Sequence, residues 1–116
     1  MSKIILKTNF DDLYFEDHEI SFDIDKYSYT NNLYVGMICW DNEYPEPWGD
    51  LTVNLDCECD ENCSYIDTNN NGIDIVDWLI ENNLGELTGR EESSGFCTYP
   101  EFRFNIEELK KYIETI

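Results

Sequence analysis

The sequence is poor in basic residues, in histidine and in long apolar segments. It has 116 residues, of which seven are Lys or Arg and one is His. A transmembrane helix needs an apolar run of about 18 residues, and the sequence has none. The apolar stretch near the N-terminus is too short for a secretory signal. We therefore expect a cytoplasmic protein.

The scarcity of Lys and Arg argues against direct binding to nucleic acid or to an anionic membrane. The 26 Asp and Glu residues give a formal net charge of −19. No Lys or Arg lies between Lys26 and Arg90, a span that contains 13 Asp and Glu residues. Such a surface repels polyanions. The partner that complements it is a basic protein.

Residues that usually carry catalysis are also few. His18 is the only histidine, and its setting in FEDHEI is typical of a solvated side chain at the end of a strand. Carboxylates are so abundant that no single pair is informative, because a catalytic pair needs a buried member with a raised pKa. The GREESSG segment lacks the lysine and the spacing of a phosphate-binding loop. We expect neither enzymatic activity nor a cofactor.

The five cysteines are an odd number in a chain without an export signal, which favours reduced thiols. Cys57, Cys59 and Cys63, with Cys97 as a fourth thiolate, leave a zinc site open as an alternative. Their spacing differs from the C-x2-C of zinc ribbons. Acidic neighbours also raise thiol pKa values, which disfavours the thiolate that a metal needs. We therefore predict ordinary cysteines.

The segment DTNNNGIDIVDWL matches the first half of a calcium-binding loop. Asp67, Asn69, Asn71 and Gly72 stand at positions 1, 3, 5 and 6 of an EF-hand loop. Position 12 falls on Trp78, which offers no oxygen, and the segment before the loop predicts a strand where an EF-hand has a helix. Asn and Asp beside Gly are typical of a turn that caps the following helix. We prefer that interpretation to a metal site.

Hydrophobic residues make up 41% of the chain and aromatic residues 15%, enough for a core despite the charge. We predict a single acidic α+β domain over residues 1–116. It would have an antiparallel sheet of about four to five strands, with two helices at about 73–83 and 106–115 packed on it.

Three segments predict the strands of an antiparallel meander. Residues 19–25, EISFDID, alternate, and residues 33–40, LYVGMICW, are apolar on both faces like a central strand, with Gly36 indicating a bulge or a close approach. Residues 51–59, LTVNLDCEC, alternate again, after a predicted turn at 42–50. The predicted solvent-facing residues are Glu19, Ser21, Asp23, Asp25, Thr52, Asn54, Asp56 and Glu58.

The C-terminal half predicts both helices and a further strand. Ile73, Val76, Leu79 and Ile80 have helical spacing, which gives the first helix. Asn105 as N-cap and Glu108 as its capping-box partner begin the second. Between the helices we predict a polar loop at 89–96 and a short strand at 97–104. Pro100 cannot donate to a ladder, so we place that strand at a sheet edge.

The motifs LTVNL, YIDTNNNG, IVDWLIENNLGELTGR and SGFCTYPEFRF, which fall within residues 33–105, resemble a family of small uncharacterised proteins. The family is a domain of unknown function carried on conjugative elements and phages of Gram-positive bacteria. The resemblance implies no activity and no catalytic residues. It implies a context, because accessory genes of mobile elements often act against host defence. The DCECDENC insert lies outside the family pattern.

The acidic residues themselves carry the functional prediction. On a strand, residues i and i+2 share a face about 6.7 Å apart. Phosphates of one DNA strand advance by about 3.4 Å per nucleotide, so rows of carboxylates approach the charge density of a nucleic acid. The predicted partner-binding rows are Glu19, Asp23 and Asp25, and Asp56, Glu58 and Asp60. We expect a non-enzymatic inhibitor, an acidic nucleic-acid mimic of anti-CRISPR or anti-restriction type, which blocks a basic host-defence or nucleic-acid-processing protein.

Two other functions remain open. Exposed aromatic residues such as Tyr44, Trp48, Tyr99 and Phe102 would anchor a protein partner, with the acidic surface serving solubility alone. A calcium- or zinc-binding protein that uses the Asp67 loop or the cysteines is the weaker alternative.

Overall fold

Two antiparallel four-stranded sheets form the framework of the structure, a computed structural model that describes residues 4–11, 14–40 and 44–113, with side chains from residue 18 onward. The first sheet contains, in spatial order, β1 (Ile4–Asp11), β2 (Tyr14–Lys26), β3 (Leu33–Cys39) and β4 (Glu46–Asp50). The second contains β5 (Thr52–Val53), β6 (Cys63–Ile66), β8 (Cys97–Phe104) and β7 (Gly85–Ser94). The α+β class is confirmed, with the strands divided between two sheets where one was predicted.

Three short helices complete the described chain: α1 (Thr68–Asn71), α2 (Asp74–Glu81) and α3 (Ile106–Leu109). The helix predicted at 73–83 is confirmed as α2. Asn105 caps α3 as predicted, because its side chain accepts a hydrogen bond from the Glu108 N–H at 3.3 Å. No helix in the described part of the chain is both long and apolar enough to cross a membrane.

The predicted extent of the C-terminal helix, to residue 115, is wrong. A 3-10 turn, Lys110–Tyr112, follows α3, and Ile113 is extended and forms a bridge with Phe22 of β2. The backbone thus finds a partner in the first sheet, which ends the helix. Residues 114–116 lie outside the described chain.

Leu51 carries the chain from one sheet to the other. Its N–H donates to the Val35 carbonyl in the first sheet at 2.9 Å, and its carbonyl accepts from the Asp67 N–H, just after β6 in the second, also at 2.9 Å. The Leu51 side chain is fully buried. One residue therefore joins the two sheets through both of its backbone polar groups.

The main core lies where the inner face of the first sheet meets α2 and the second sheet. Its buried members include Ile20, Phe22, Val35, Leu79 and Phe102. Burial of each such side chain contributes roughly 1.5–3 kcal/mol relative to exposure. The packing fixes which face of β2 points inward, and so which face points to solvent.

A second, smaller core lies on the opposite face of the second sheet, under the irregular segment 54–62. Leu55, Tyr65 and Tyr99 form its buried part, and Cys57 and Cys59 pack against them. The strand predicted over 51–59 is therefore wrong beyond Val53, where β5 ends. Hydrogen bonds between the Asn32 side chain and the backbone hold this segment in place of a ladder.

The predicted turn at 42–50 is wrong over Glu46–Asp50, which is strand β4. β4 lies at an edge of the first sheet, where Pro47 does not interrupt a ladder on its outer side. The polar loop predicted at 89–96 is also wrong, because residues up to Ser94 belong to β7. β7 is an edge strand with an exposed surface, so it has no apolar alternation to reveal it.

The edge position predicted for the 97–104 strand is wrong. β8 lies between β6 and β7. Its pairing with β6 ends at Glu101, one residue after Pro100. On the other side, Pro100 pairs with Glu91, where the register shifts between Leu87 and Glu91. Proline is tolerated at this irregular point because no regular ladder hydrogen bond is lost.

Two residues predicted to face solvent are buried. Ser21 lies on the outer face of β2, but its hydroxyl accepts a hydrogen bond from the Trp40 indole N–H at 2.7 Å. Thr52 accepts from the Val35 N–H at 3.1 Å, where the chain crosses between the sheets. Both hydroxyls are therefore satisfied inside the protein.

Candidate functional site

The outer face of the first sheet carries a group of carboxylates. Glu19, Asp23 and Asp25 are exposed on this face of β2, as the alternation predicted. Asp50 of β4 joins them, because Asp23 pairs with Gly36 of β3, and Gly36 pairs with Asp50. We call Glu19, Asp23, Asp25 and Asp50 the acidic face. Two strand spacings of about 4.8 Å place the Asp23 and Asp50 backbones about 10 Å apart.

Gly36 leaves room for Tyr34 at the centre of the acidic face. A Cβ at position 36 would overlap the Tyr34 hydroxyl and lie 3.0 Å from the ring carbon that carries it. The hydroxyl donates to Asp50 at 2.7 Å. The sequence prediction of a close approach at Gly36 is therefore confirmed.

Tyr34 is held in this position by a second aromatic ring. The Tyr27 ring packs edge-on against it with centroids 5.6 Å apart, and the Tyr27 hydroxyl bonds to Thr52 at 3.0 Å. Burial, the hydrogen bond to Asp50 and the charges of Asp50 and Asp23 raise the pKa of Tyr34 above its usual range. The hydroxyl thus stays protonated and keeps Asp50 fixed by donating to it.

A shallow pocket of about 290 Å³ opens between the two aspartates. Asp23 and Asp50 line it, with Tyr34 and Gly36 at its base. Among the described outward-facing side chains of β2, β3 and β4, none is Lys or Arg. The arrangement suits the ammonium or guanidinium group of a partner, which would enter between two carboxylates.

The second predicted row, Asp56, Glu58 and Asp60, is not a strand row. All three are exposed, but they lie in the irregular segment 54–62. Asp60 contacts Arg90 at 3.1 Å and Arg103 at 4.0 Å, so the protein's own cations compensate its charge. Asp60 thus differs from the other two in having its charge paired within the molecule. Asp56 and Glu58 remain as exposed acids.

Asn32 holds this segment against the β2–β3 turn. Its buried amide donates to the Cys57 carbonyl at 2.7 Å and accepts from the Cys59 N–H at 2.8 Å. Asp56 and Glu58 therefore lie at the end of the molecule where β2 carries Asp25. The two acidic segments are joined through one asparagine.

The family described as a domain of unknown function (DUF4313) matches residues 21–115. The chain belongs to this family. The DUF4313 segment contains Asp23, Asp25 and Asp50, and Glu19 precedes it. The predicted resemblance to an uncharacterised domain family is confirmed. No curated protein and no solved structure matches the chain significantly.

Asp67 of the DUF4313 domain is a helix cap, as predicted. Its two carboxylate oxygens accept from the Asn70 N–H at 3.1 Å and from the Asn70 side-chain amide at 2.7 Å. Strand β6 precedes it, where an EF-hand would have a helix. The Asp67 side chain is buried and both oxygens serve the cap, which supports the turn-and-cap interpretation.

Cys57, Cys59 and Cys63, near the second sheet, have raised pKa values. Burial raises the pKa of the Cys59 thiol to about 12, with the nearby Glu101 adding to the shift and a hydrogen bond from Tyr65 opposing it. Burial also raises the pKa of Cys57 and of Cys63. Among the described residues, no group of three or more His, Cys, Asp or Glu side chains is placed to hold a metal ion.

The proposed aromatic anchors are mostly buried. Tyr44 is exposed, but Trp48 packs against the main core, and Tyr99 and Phe102 are buried within the second sheet. The prediction that Tyr99 and Phe102 are exposed is wrong, because neighbouring elements cover both faces of β8. Exposed aromatic residues that the sequence reasoning missed are Tyr29, in the β2–β3 turn, and Phe96, in the β7–β8 turn.

His18 and Glu101 also differ from expectation. His18 is buried, with its ring centroid 4.2 Å from that of Trp48, so the prediction of a solvated side chain is wrong. Glu101, which the sequence reasoning missed, has 2% of its side chain exposed and pairs with Arg90 at 3.1 Å. The sequence does contain a signal, the alternation in CTYPEFRF. It places Glu101 and Arg103 on one face of the strand and Phe102 on the other.

Proposed function

We propose that this protein is a non-enzymatic inhibitor that binds a basic host-defence or nucleic-acid-processing protein through the acidic face. The observation that carries the proposal is the arrangement of Asp23 and Asp50 on the two strands that flank β3, on either side of Tyr34 and without a described cation between them. Carboxylates that are already fixed lose little conformational entropy when they bind Lys or Arg.

The spacing of the acidic face supports the comparison with a nucleic acid. Asp23 and Asp25 are about 6.7 Å apart along β2, and Asp23 and Asp50 about 10 Å apart across the sheet. Phosphates of one DNA strand advance by about 3.4 Å per nucleotide along the helix axis, so Asp23 and Asp25 present about half that linear density of negative charge to a basic groove. Contacts from Lys and Arg would be charge-assisted hydrogen bonds, some of them bidentate.

The biological version we favour is an anti-CRISPR or anti-restriction protein. It rests on the resemblance to small proteins carried on conjugative elements and phages of Gram-positive bacteria. A mobile element benefits from a protein that occupies the DNA-binding groove of a host nuclease. The acidic surface gives such a protein fast association that depends on ionic strength.

Displacement of labelled duplex DNA from a Cas9–guide complex and from a type I restriction enzyme tests the proposal. We expect the wild-type protein to displace DNA from at least one of them, more weakly at about 200 mM salt than at about 50 mM. The variant Asp23→Asn/Asp25→Asn/Asp50→Asn should displace DNA at least about tenfold less well. The amide that replaces the Asp50 carboxylate can still accept the Tyr34 hydrogen bond, so the fold is preserved.

The matched control is Glu61→Gln/Glu81→Gln/Glu107→Gln, which removes the same charge from exposed positions outside the acidic face. It should displace DNA nearly as well as the wild type. An equal loss in both triple variants would show that net charge acts without a defined surface. If DNA stays bound to both enzymes at low salt, the mimic proposal is contradicted for these targets.

The exposed aromatic residues support a second candidate, a protein-interaction module. Tyr29 and Tyr44 are strongly exposed, although large aromatic side chains are usually covered. If they anchor a partner, a protein captured by the wild type would be lost from Tyr29→Ser or Tyr44→Ser and retained by the acidic-face variant.

A further inference from the structure

A groove separate from the acidic face lies between α2 and the second sheet. Ile73 and Val76 line it from the helical side, and Leu87 and Pro100 from β7 and β8. Its volume is about 480 Å³, within the range of about 300–1,000 Å³ that is typical of ligand-binding sites. The groove shares no lining residue with the acidic face.

Three aliphatic side chains in and beside the groove are exposed, whereas Val76 at its floor is buried. Ile73 is 79% exposed and Leu87 46%, and Ile80, seven residues after Ile73, is 44% exposed. The helical spacing predicted both isoleucines as core residues. In the structure, α2 is therefore apolar over more of its circumference than the domain covers. Neighbouring exposed aliphatic side chains of this size mark an interaction surface.

The rim of the groove is negatively charged. Asp74 and Asp77 of α2 and Glu91 of β7 line it, and none of its described lining residues is Lys or Arg. Arg90, next to Glu91, is engaged elsewhere, because its guanidinium bonds Glu101 at 3.2 Å and Asp60 at 3.1 Å. The carboxylates of the rim are therefore available to a cationic group of a partner.

We propose that this groove binds a basic amphipathic segment of a protein partner. A large aliphatic or aromatic side chain would lie between Ile73 and Leu87, and flanking Lys or Arg residues would reach the carboxylates of the rim. Apolar surface with an acidic rim complements a segment that is itself apolar and basic.

The extent of the exposed surface favours a peptide segment over a small organic cation. Ile80 does not line the groove, but its position seven residues after Ile73 places it on the same side of the helix, about 10.5 Å further along at about 1.5 Å per residue. A partner helix spans that distance with side chains at i and i+7, the spacing by which amphipathic helices bind apolar grooves.

Fluorescence anisotropy with two synthetic peptides tests the inference. One is an amphipathic peptide of about 14 Leu and Lys residues, and the other has the same charge with every Leu replaced by Ser. In the variant Ile73→Ser/Leu87→Ser, we expect the Kd for the Leu/Lys peptide to rise at least about tenfold, because one apolar anchor loses its contacts. The Ser/Lys peptide, which binds by charge alone, should bind both proteins equally.

The matched control is Phe96→Ser, which removes an even more exposed apolar side chain outside the groove. It should bind the Leu/Lys peptide like the wild type. Ile73 is the N-cap residue of α2, a position at which serine is a preferred residue. Thermal melting checks the fold of each variant. The proposal is overturned if Ile73→Ser/Leu87→Ser keeps wild-type affinity, or if Phe96→Ser loses as much.

Charge variants locate the cationic part of the contact. Asp74→Asn/Asp77→Asn should weaken the Leu/Lys peptide more than Asp23→Asn/Asp25→Asn does, because both remove two charges but only the first pair lines the groove. The reverse order would place the peptide on the acidic face and contradict the proposal. The outcome does not depend on DNA displacement, so the two proposals can fail separately.

Discussion

Gly36 shows how one residue shapes the acidic face. Because it has no side chain, the Tyr34 ring lies over it and places its hydroxyl beside Asp50. The sequence indicated a special role for this glycine, since it interrupts an otherwise apolar strand. It could not indicate the acceptor of the Tyr34 hydrogen bond, because only the register of β3 against β4 brings Asp50 opposite Gly36.

Gly36→Ala should destabilise the protein by about 1–3 kcal/mol, because the new methyl group overlaps the Tyr34 hydroxyl and forces the ring to move. Urea unfolding measures the loss. The same substitution in a Tyr34→Phe background should cost less, since the overlapping oxygen is absent. Equal costs in both backgrounds would mean that Tyr34 does not occupy the space over Gly36.

Other single residues could not be placed from sequence for a related reason. Ser21 and Thr52 have the polarity and the alternation of solvent-facing positions. Trp40 covers the first, and the crossover to the second sheet encloses the second. Both contacts come from residues distant in sequence, so local alternation cannot reveal them.

At the scale of elements, the sequence predicted the segments whose apolar residues repeat with the period of a strand or a helix. β2, β3 and α2 follow from alternation, continuous apolarity and helical spacing, and α3 from its capping residues. Segment 54–62 continues the alternation of β5 and yet is irregular. Its backbone is held by the Asn32 side chain, and a hydrogen bond from an asparagine to a distant backbone leaves no periodic trace.

Asn32→Ala should release this segment and lower the free energy of unfolding by about 1–3 kcal/mol, the sum of two hydrogen bonds at about 0.5–1.5 kcal/mol each. Amide hydrogen exchange should accelerate at Cys59, whose N–H donates to Asn32. Ser93→Ala removes an exposed hydrogen bond to Thr98 away from Asn32 and should change stability little. Unchanged exchange at Cys59 in Asn32→Ala would contradict the role of Asn32.

At the scale of the whole molecule, the α+β class could be predicted but the division into two sheets could not. Sheet order depends on pairings such as β6 with β8, whose residues are about 40 positions apart. The candidate site likewise has a part that the sequence predicts and a part that it does not. Its β2 row was predictable from alternation, whereas Asp50 joins it only through β4, a segment that proline and glycine made look like a turn.

Stability should fall as pH rises above about 9. In the unfolded chain a Cys thiol loses its proton near its ordinary pKa of 9.0, whereas folded Cys59 keeps its proton until about 12. Above pH 9 the unfolded state therefore binds fewer protons than the folded state, and ionisation favours unfolding. Below pH 9 this contribution is fully present. Tyr27, Tyr65 and Tyr99, whose pKa values are also raised, should extend the loss above pH 10.

Urea midpoints measured between about pH 8 and pH 11 test this prediction. The decline should be smaller in Cys59→Ser, which removes one of the groups that ionise on unfolding. A midpoint that stays constant over this range would show that these side chains are solvated in the folded protein.

The crossover at Leu51 restricts movement of one sheet relative to the other. Its N–H and its carbonyl are committed to different sheets, so relative rotation of the sheets would break both hydrogen bonds at once. Leu51 is therefore a rigid connection between the sheets and not a hinge. The carboxylates of the first sheet and the groove beside the second keep a constant separation, and any partner that engages both must carry its own contact points at that same distance.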